Sequence, residues 1–169
     1  MSDVTIRPAY SMWPQYNRRL RDVVAAMTDE HLAIRPSADR WPIWATVGHT
    51  AGVRVYWLCD VIGEPGAETT PFTDVADTGW EDDLDHLRGA DELVEALDST
   101  WRLIEGCLDR WTPDMLADEF HRDYNGEPQV HTRGSILQRL FSHDAYHCGE
   151  LSQTLGIHRL PQIDLWRPD

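Results

Sequence analysis

The chain of 169 residues contains no lysine, so all 15 of its basic residues are arginine. That absence rules out Schiff-base chemistry on a lysine amine and favours fixed, forked contacts with carboxylates over mobile point charges. Positive charge is scarce too, since 29 acidic residues leave a formal net charge of −14. Such a surface repels phosphate backbones and anionic lipid headgroups, so nucleic acid and membranes are not expected partners. Cysteine is limited to Cys59, Cys107 and Cys148, an odd number with no CxxC arrangement, which excludes a disulfide framework and a thiolate zinc site and suits a reducing cytoplasm. There is no long hydrophobic run either. The most apolar stretch, Ile43 to Ile62, is interrupted by His49, Arg54 and Asp60, and the N-terminal MSDVTIRPAY carries no apolar signal core. A cytoplasmic protein that crosses no membrane is expected.

What remains is an ordinary globular mix, 41% hydrophobic and 26% charged, in a length that suits one domain spanning residues 1–169. Apolar residues recur at helical spacing in four places. The first runs from about Met12 to Met27 and the second from Pro42 to the breaker Gly63-Glu64-Pro65. The third runs from Asp91, read as an N-cap, to Trp111, and the fourth from Thr132–Ser135 to Gly156, read as a left-handed terminator. Residues 64–89, rich in acids, proline and glycine, read as a long acidic loop with a short helix around Trp80 to Leu87. Thr112-Pro113 opens a brief further helix, followed by an irregular stretch with the turn signal Asn125-Gly126. Without convincing strands, the pattern predicts an all-α protein built as a four-helix bundle.

Position separates the eight histidines. His143 and His147, in SHDAYHCGE, are four apart and lie on the apolar stripe of Ile136, Leu140 and Leu151, so both imidazoles share one buried helix face. Buried imidazoles need partners. His49 meets the same test on the second helix beside Ala45, Val53 and Tyr56. Three histidines from two facing helices form the first shell of a divalent metal site with open coordination positions, the arrangement of a catalytic ion. Imidazole ligation suits zinc, nickel, iron or copper; zinc and nickel lead, and manganese stays open. The competing reading for each histidine is a core residue bonded to a carbonyl. His31, His86, His121, His131 and His158 fall in loops or at ends, with His131 near enough to the fourth helix to border the site.

The histidine in WATVGHTAGVRVYW and the closing segment ILQRLFSHDAYHCGELSQTLG, with its HxxxH followed by Gly-Glu, resemble the DinB-like (YfiT-like) family of bacterial helical bundles. The resemblance covers most of the chain. It implies an up-down-down-up four-helix bundle, frequently a homodimer, binding a metal through His49, His143 and His147. It further implies a small-molecule substrate and a low-molecular-weight thiol of the mycothiol or bacillithiol type, held as a thiolate by the metal for S-transfer or isomerisation. The acidic segment 64–89 departs from the family pattern. Two other functions share the same first shell: a metalloprotein that binds without turnover, and a metal-assisted hydrolase.

Glu150 falls on the ligand face, three residues past His147, where it is read as catalytic: it orients an imidazole, accepts a proton or becomes a fourth ligand. Asp60 sits about 16 Å along the helix from His49, too far to ligate, and is assigned an arginine partner. Tyr56, Trp57, Trp44 and Tyr146 are either an aromatic pocket or plain core. Cys148 points away from the ligand face, and some of the eight tryptophans suit a dimer interface.

Overall fold

The structure, a computed structural model, describes residues 4–74 and 79–166. In chain order it contains α1 (Trp13–Ala25), the single-turn α2 (Asp29–Leu32), α3 (Ile43–Val55), α4 (Ala90–Arg110), β1 (Glu119–Tyr124), β2 (Glu127–Thr132) and α5 (Arg133–Ile157). Helix α1 packs on α4 and α5, and α3 packs on the same two from the other side. The four long helices thus enclose one interior. No helix among the described residues is long and apolar enough to cross a membrane.

Helix boundaries follow local chemistry. Thr132 caps α5, its hydroxyl accepting from the Ser135 amide at 3.1 Å while the Thr132 amide donates to the Ser135 hydroxyl at 3.0 Å. Two expected boundaries shift. Helix α4 is capped from Gly89, whose amide donates to the Glu92 carboxylate at 3.1 Å, so Asp91 lies inside the first turn. Helix α5 runs through Gly156, and the left-handed residue beyond it is Arg159, at φ 59°. After α3 the chain continues as a π-helical turn, Tyr56–Val61, and stops at Gly63, whose φ of 85° needs glycine.

The interior has an apolar cluster toward each end. One gathers Leu20, Val24, Ile43, Val47, Leu97 and Leu155; the other gathers Trp13, Trp57, Leu58, Ile104, Ile136 and Leu140. Between them lies a buried polar layer. Arg54 of α3 donates to Asp144 of α5 at 2.8 Å and to Asn17 of α1 at 2.9 Å, and the Trp13 indole donates to the same Asp144 carboxylate at 2.8 Å. Both members of the ion pair are almost fully buried, so their desolvation is offset by these several short contacts.

The chain is mostly helical but not all-α: the stretch expected to be irregular is an antiparallel hairpin, with Glu119 opposite Thr132 and Tyr124 opposite Glu127. Asn125 (φ 55°) and Gly126 (φ 82°) make the two-residue turn, whose paired positive φ values suit the twist of a hairpin. Most strand residues are exposed, so no apolar alternation announces them. In the acidic segment, residues 75–78 lie outside the described part; the expected helix around Trp80 to Leu87 is one short turn, Trp80–Asp82. Phe72 and Trp80 pack over α3 at Gly52 and Gly48, where an added Cβ would stand 3.2 Å and 3.1 Å from their side chains. Small residues on α3 let the segment lie close against it.

Candidate metal centre

Helices α3 and α5 bring three imidazoles together. His143 Nε2 lies 3.1 Å from His49 Nε2 and 3.1 Å from His147 Nε2, and the ligand atoms of all three fall within 4.8 Å of one another. An ion bound tetrahedrally at the usual nitrogen distance spaces its ligands by about 3.3 Å, so this triangle could hold a metal ion.

The outer ring nitrogens strengthen that fit. His147 Nδ1 contacts Glu150 at 2.7 Å and His49 Nδ1 contacts Glu81 at 2.5 Å. A carboxylate at Nδ1 holds the proton there, so Nε2 of both rings is left as a bare lone pair. His143 lies between them and has a single Nε2 proton at most to offer. At least one 3.1 Å contact therefore opposes two lone pairs, a conflict that a cation at the centre removes. The remaining atom, His143 Nδ1, is buried without a hydrogen-bond partner. Burial, reinforced by the charges of His147 and His49, pushes the His143 pKa down to about 3, and burial also lowers that of His147, so the neutral, ligating forms are favoured.

A cavity of about 680 Å³ opens on the three rings, lined by Ser37, Arg40, Trp41, Thr46, Tyr146 and Glu150 among others. This volume is in the range of small-molecule sites. Trp41 packs on His49 with ring centroids 4.9 Å apart. Glu150 is half-exposed at the cavity edge, bonded to His147 and to the Tyr146 hydroxyl at 3.2 Å.

Of the residues singled out in the sequence, His49, His143, His147 and Glu150 come together here. The others scatter. Trp44 belongs to the apolar core and Trp57 to the other cluster, Tyr56 is half-buried away from the cavity, and Tyr146 lines it. Asp60 is exposed and has no arginine partner among the described residues. Cys148 is buried outside the ligand triangle. His131 lies on β2 against Trp57, off the cavity. Trp13, Trp44, Trp57, Trp101 and Trp111 are core residues, which leaves Trp166 the most exposed of the tryptophans.

Two residues escaped the sequence reading. Glu81, in the acidic segment, reaches His49 across 32 positions of chain with no periodicity to announce it. Trp41 precedes the apolar stripe by two residues, and only its neighbour Pro42 drew attention.

Comparison with known proteins supplies the frame for this geometry. A search of curated protein sequences finds no match. Among solved structures, a DinB-like protein from Bacillus cereus ATCC 10987 superposes with a TM-score of 0.65 at 16% identity, covering 95% of this chain and 96% of that one. At that identity the likeness shows the fold alone. The family model of the DinB superfamily matches residues 15–151, a span that includes all three clustered histidines. The chain belongs to the DinB superfamily.

Proposed function

We propose that this protein is a metal-dependent enzyme that transfers or isomerises small electrophilic substrates with a low-molecular-weight thiol, using His49, His143 and His147 as ligands and Glu150 as the carboxylate beside them. The single observation that carries the reading is the convergence of three imidazoles lining a 680 Å³ cavity, with His143 Nε2 3.1 Å from Nε2 of both His49 and His147 and all three ligand atoms within 4.8 Å of one another. A bound divalent ion, zinc or nickel first and iron or manganese next, would supply the charge that holds a thiol as its thiolate.

The chain's own residues do the rest. Glu81 and Glu150 fix the rings of His49 and His147 by holding their Nδ1 protons. Glu150 lines the cavity with one oxygen on His147 and the other accepting from the Tyr146 hydroxyl, and there it can take the proton of an incoming thiol. Trp41 and Tyr146 offer apolar walls for the substrate. The protein's own cysteines are unsuited to the nucleophile's role: burial pushes Cys59 up to about 11 and Cys107 and Cys148 up to about 12. The thiol therefore comes from outside. The up-down-down-up helix order, one domain over residues 1–169, a homodimer and a cytoplasmic location complete this reading.

Metal analysis of the purified protein, then assays with mycothiol or bacillithiol and a model electrophile, test it. Thiol transfer that disappears in His147→Ala supports the proposal. Thiol-independent cleavage of esters would indicate a hydrolase, and tight ligand binding without turnover a binding protein. A protein that neither retains nor takes up a transition ion removes the basis of all three.

A further inference from the structure

The cavity that opens on the three histidines has a direction. Along α3 its lining runs from His49 back to Ile43, about 9 Å, and along α5 from His143 on to Thr154, about 16 Å. Both walls therefore lead from the rings toward the loop that precedes α3, which adds Ser37, Asp39, Arg40 and Trp41 to the lining. That loop is held by its own backbone. The Ile43 amide donates to the Ile34 carbonyl at 2.9 Å and pins the two ends, the Arg40 amide donates to the Ser37 carbonyl at 3.1 Å, and Arg35 Nη1 donates to the Arg40 carbonyl at 2.9 Å. Trp41 folds back from it onto the His49 ring.

Charge singles out one residue of this wall. Among the described residues, Arg40 is the only arginine that lines the cavity, and its guanidinium makes no hydrogen bond or ion pair. Its neighbour Asp39 is taken up by the Ser37 hydroxyl at 2.6 Å. Elsewhere the chain sets arginines on acids, Arg54 on Asp144, Arg88 on Glu92 and Arg110 on Glu64, and with 29 acidic residues to 15 arginines a partner for Arg40 would not be scarce.

At the histidine end the balance runs the other way. Glu81 and Glu150 stand on the outer nitrogens of His49 and His147, so a dication at the rings is already offset by two carboxylates, and a thiolate joining it leaves that end net negative. A second negative group on the ligand is repelled there and attracted at Arg40. One guanidinium beside Asp39 matches a monoanion. Its fork of N–H groups fits a carboxylate, whereas a phosphate dianion calls for more positive charge than this wall holds.

We infer that Arg40 is a specificity residue of this cavity, holding the carboxylate of a small organic acid whose reactive end lies at the three histidines. This names the ligand class for the reaction proposed above and rests on that reading. Between the two ends the ligand passes Trp41, Tyr146, Ile43 and Leu151, so an apolar or aromatic spacer suits it.

The probes are ω-mercaptocarboxylic acids of graded length and the matching mercaptoalcohols, titrated into cobalt-loaded protein and followed by the thiolate-to-cobalt absorption. Phenylacetate, benzyl alcohol and inorganic phosphate are titrated into metal-free protein and followed by the arginine Nε–H resonances. Expected are an acid-to-alcohol affinity ratio of about tenfold or more at one optimum length and a shift of the Arg40 signal by phenylacetate but not by benzyl alcohol. The ratio should fall to near unity in Arg40→Gln, invert in Arg40→Glu and be partly kept in Arg40→Lys; the Arg40 side chain bonds to nothing in the fold, so these variants should fold as the parent does. Acid and alcohol binding equally, or a ratio indifferent to Arg40→Gln, overturns the assignment while leaving the thiol reading intact. Phosphate shifting the Arg40 signal at lower concentration than phenylacetate overturns the carboxylate as the ligand group. If no thiol reaches cobalt the thiol reading fails, and the metal-free titration decides for Arg40 alone: a phenylacetate shift keeps the assignment and its absence overturns it.

Discussion

At the scale of single residues, the centre depends on which nitrogen carries the proton. Glu81 and Glu150 each face an Nδ1, leaving Nε2 of both rings free to ligate. Glu81→Gln keeps the size and a hydrogen bond but removes the charge, and is expected to weaken zinc or nickel affinity about 10–100-fold by competition titration. Unchanged affinity would show that Glu81 does not support His49. His143 makes a pH prediction. Its folded pKa is lowered to about 3 by burial, from an ordinary 6.5, so as pH falls below about 6.5 the unfolded chain takes up a proton that the folded one refuses. Stability of the metal-free protein is thus full above that pH and declines toward pH 3, with a contribution from this ring approaching about 1.4 kcal/mol per pH unit. Urea unfolding over that range should give a shallower decline for His143→Leu; parallel curves would contradict the assignment.

At the scale of elements, what could be read in advance depended on how local the causes are. His143 and His147 were visible because a four-residue spacing on an apolar stripe fixes their face, and His49 because it breaks an otherwise apolar helix. The hairpin was hidden: its strands carry Glu119, Arg122, Asp123 and Glu127 without apolar alternation, and Asn125-Gly126 alone does not define two strands. Glu81 was hidden because its place is set by Trp80 seated on Gly48, a contact between distant segments. That seat gives a test. Gly48→Val fills space within 3.1 Å of Trp80, lifting the Trp80–Asp82 turn at a cost of about 1–3 kcal/mol. Metal affinity should fall as in Glu81→Gln, and the double variant should be little worse than either single change, because both remove one contact. Additive losses would mean that the two act separately.

At the scale of the whole molecule, Arg54 and Asp144 tie α3 to α5 in the layer that separates the two apolar clusters, and Trp13 and Asn17 add α1. The sequence flagged Arg54 only as an interruption and did not flag Asp144, although Asp144 adjoins His143. A single carboxylate on an otherwise readable helix does not reveal a partner 90 positions away. Asp144→Ala leaves a buried guanidinium uncompensated and should cost about 3–5 kcal/mol, while Arg54→Met combined with Asp144→Leu should recover most of that loss. Chemical denaturation of the three proteins decides: a double variant as weak as the single would show that the pair contributes net stability rather than only mutual neutralisation.

The three cysteines, held protonated by burial, have a practical consequence. A cysteine thiolate is readily alkylated, and here Cys107 and Cys148 are both shielded and un-ionised near neutral pH. Their modification by a reagent such as iodoacetamide would report excursions in which the helices part. Such labelling would then time the opening of the folded chain, slowing when an ion bridges α3 and α5 and leaving untouched the molecules that never come apart.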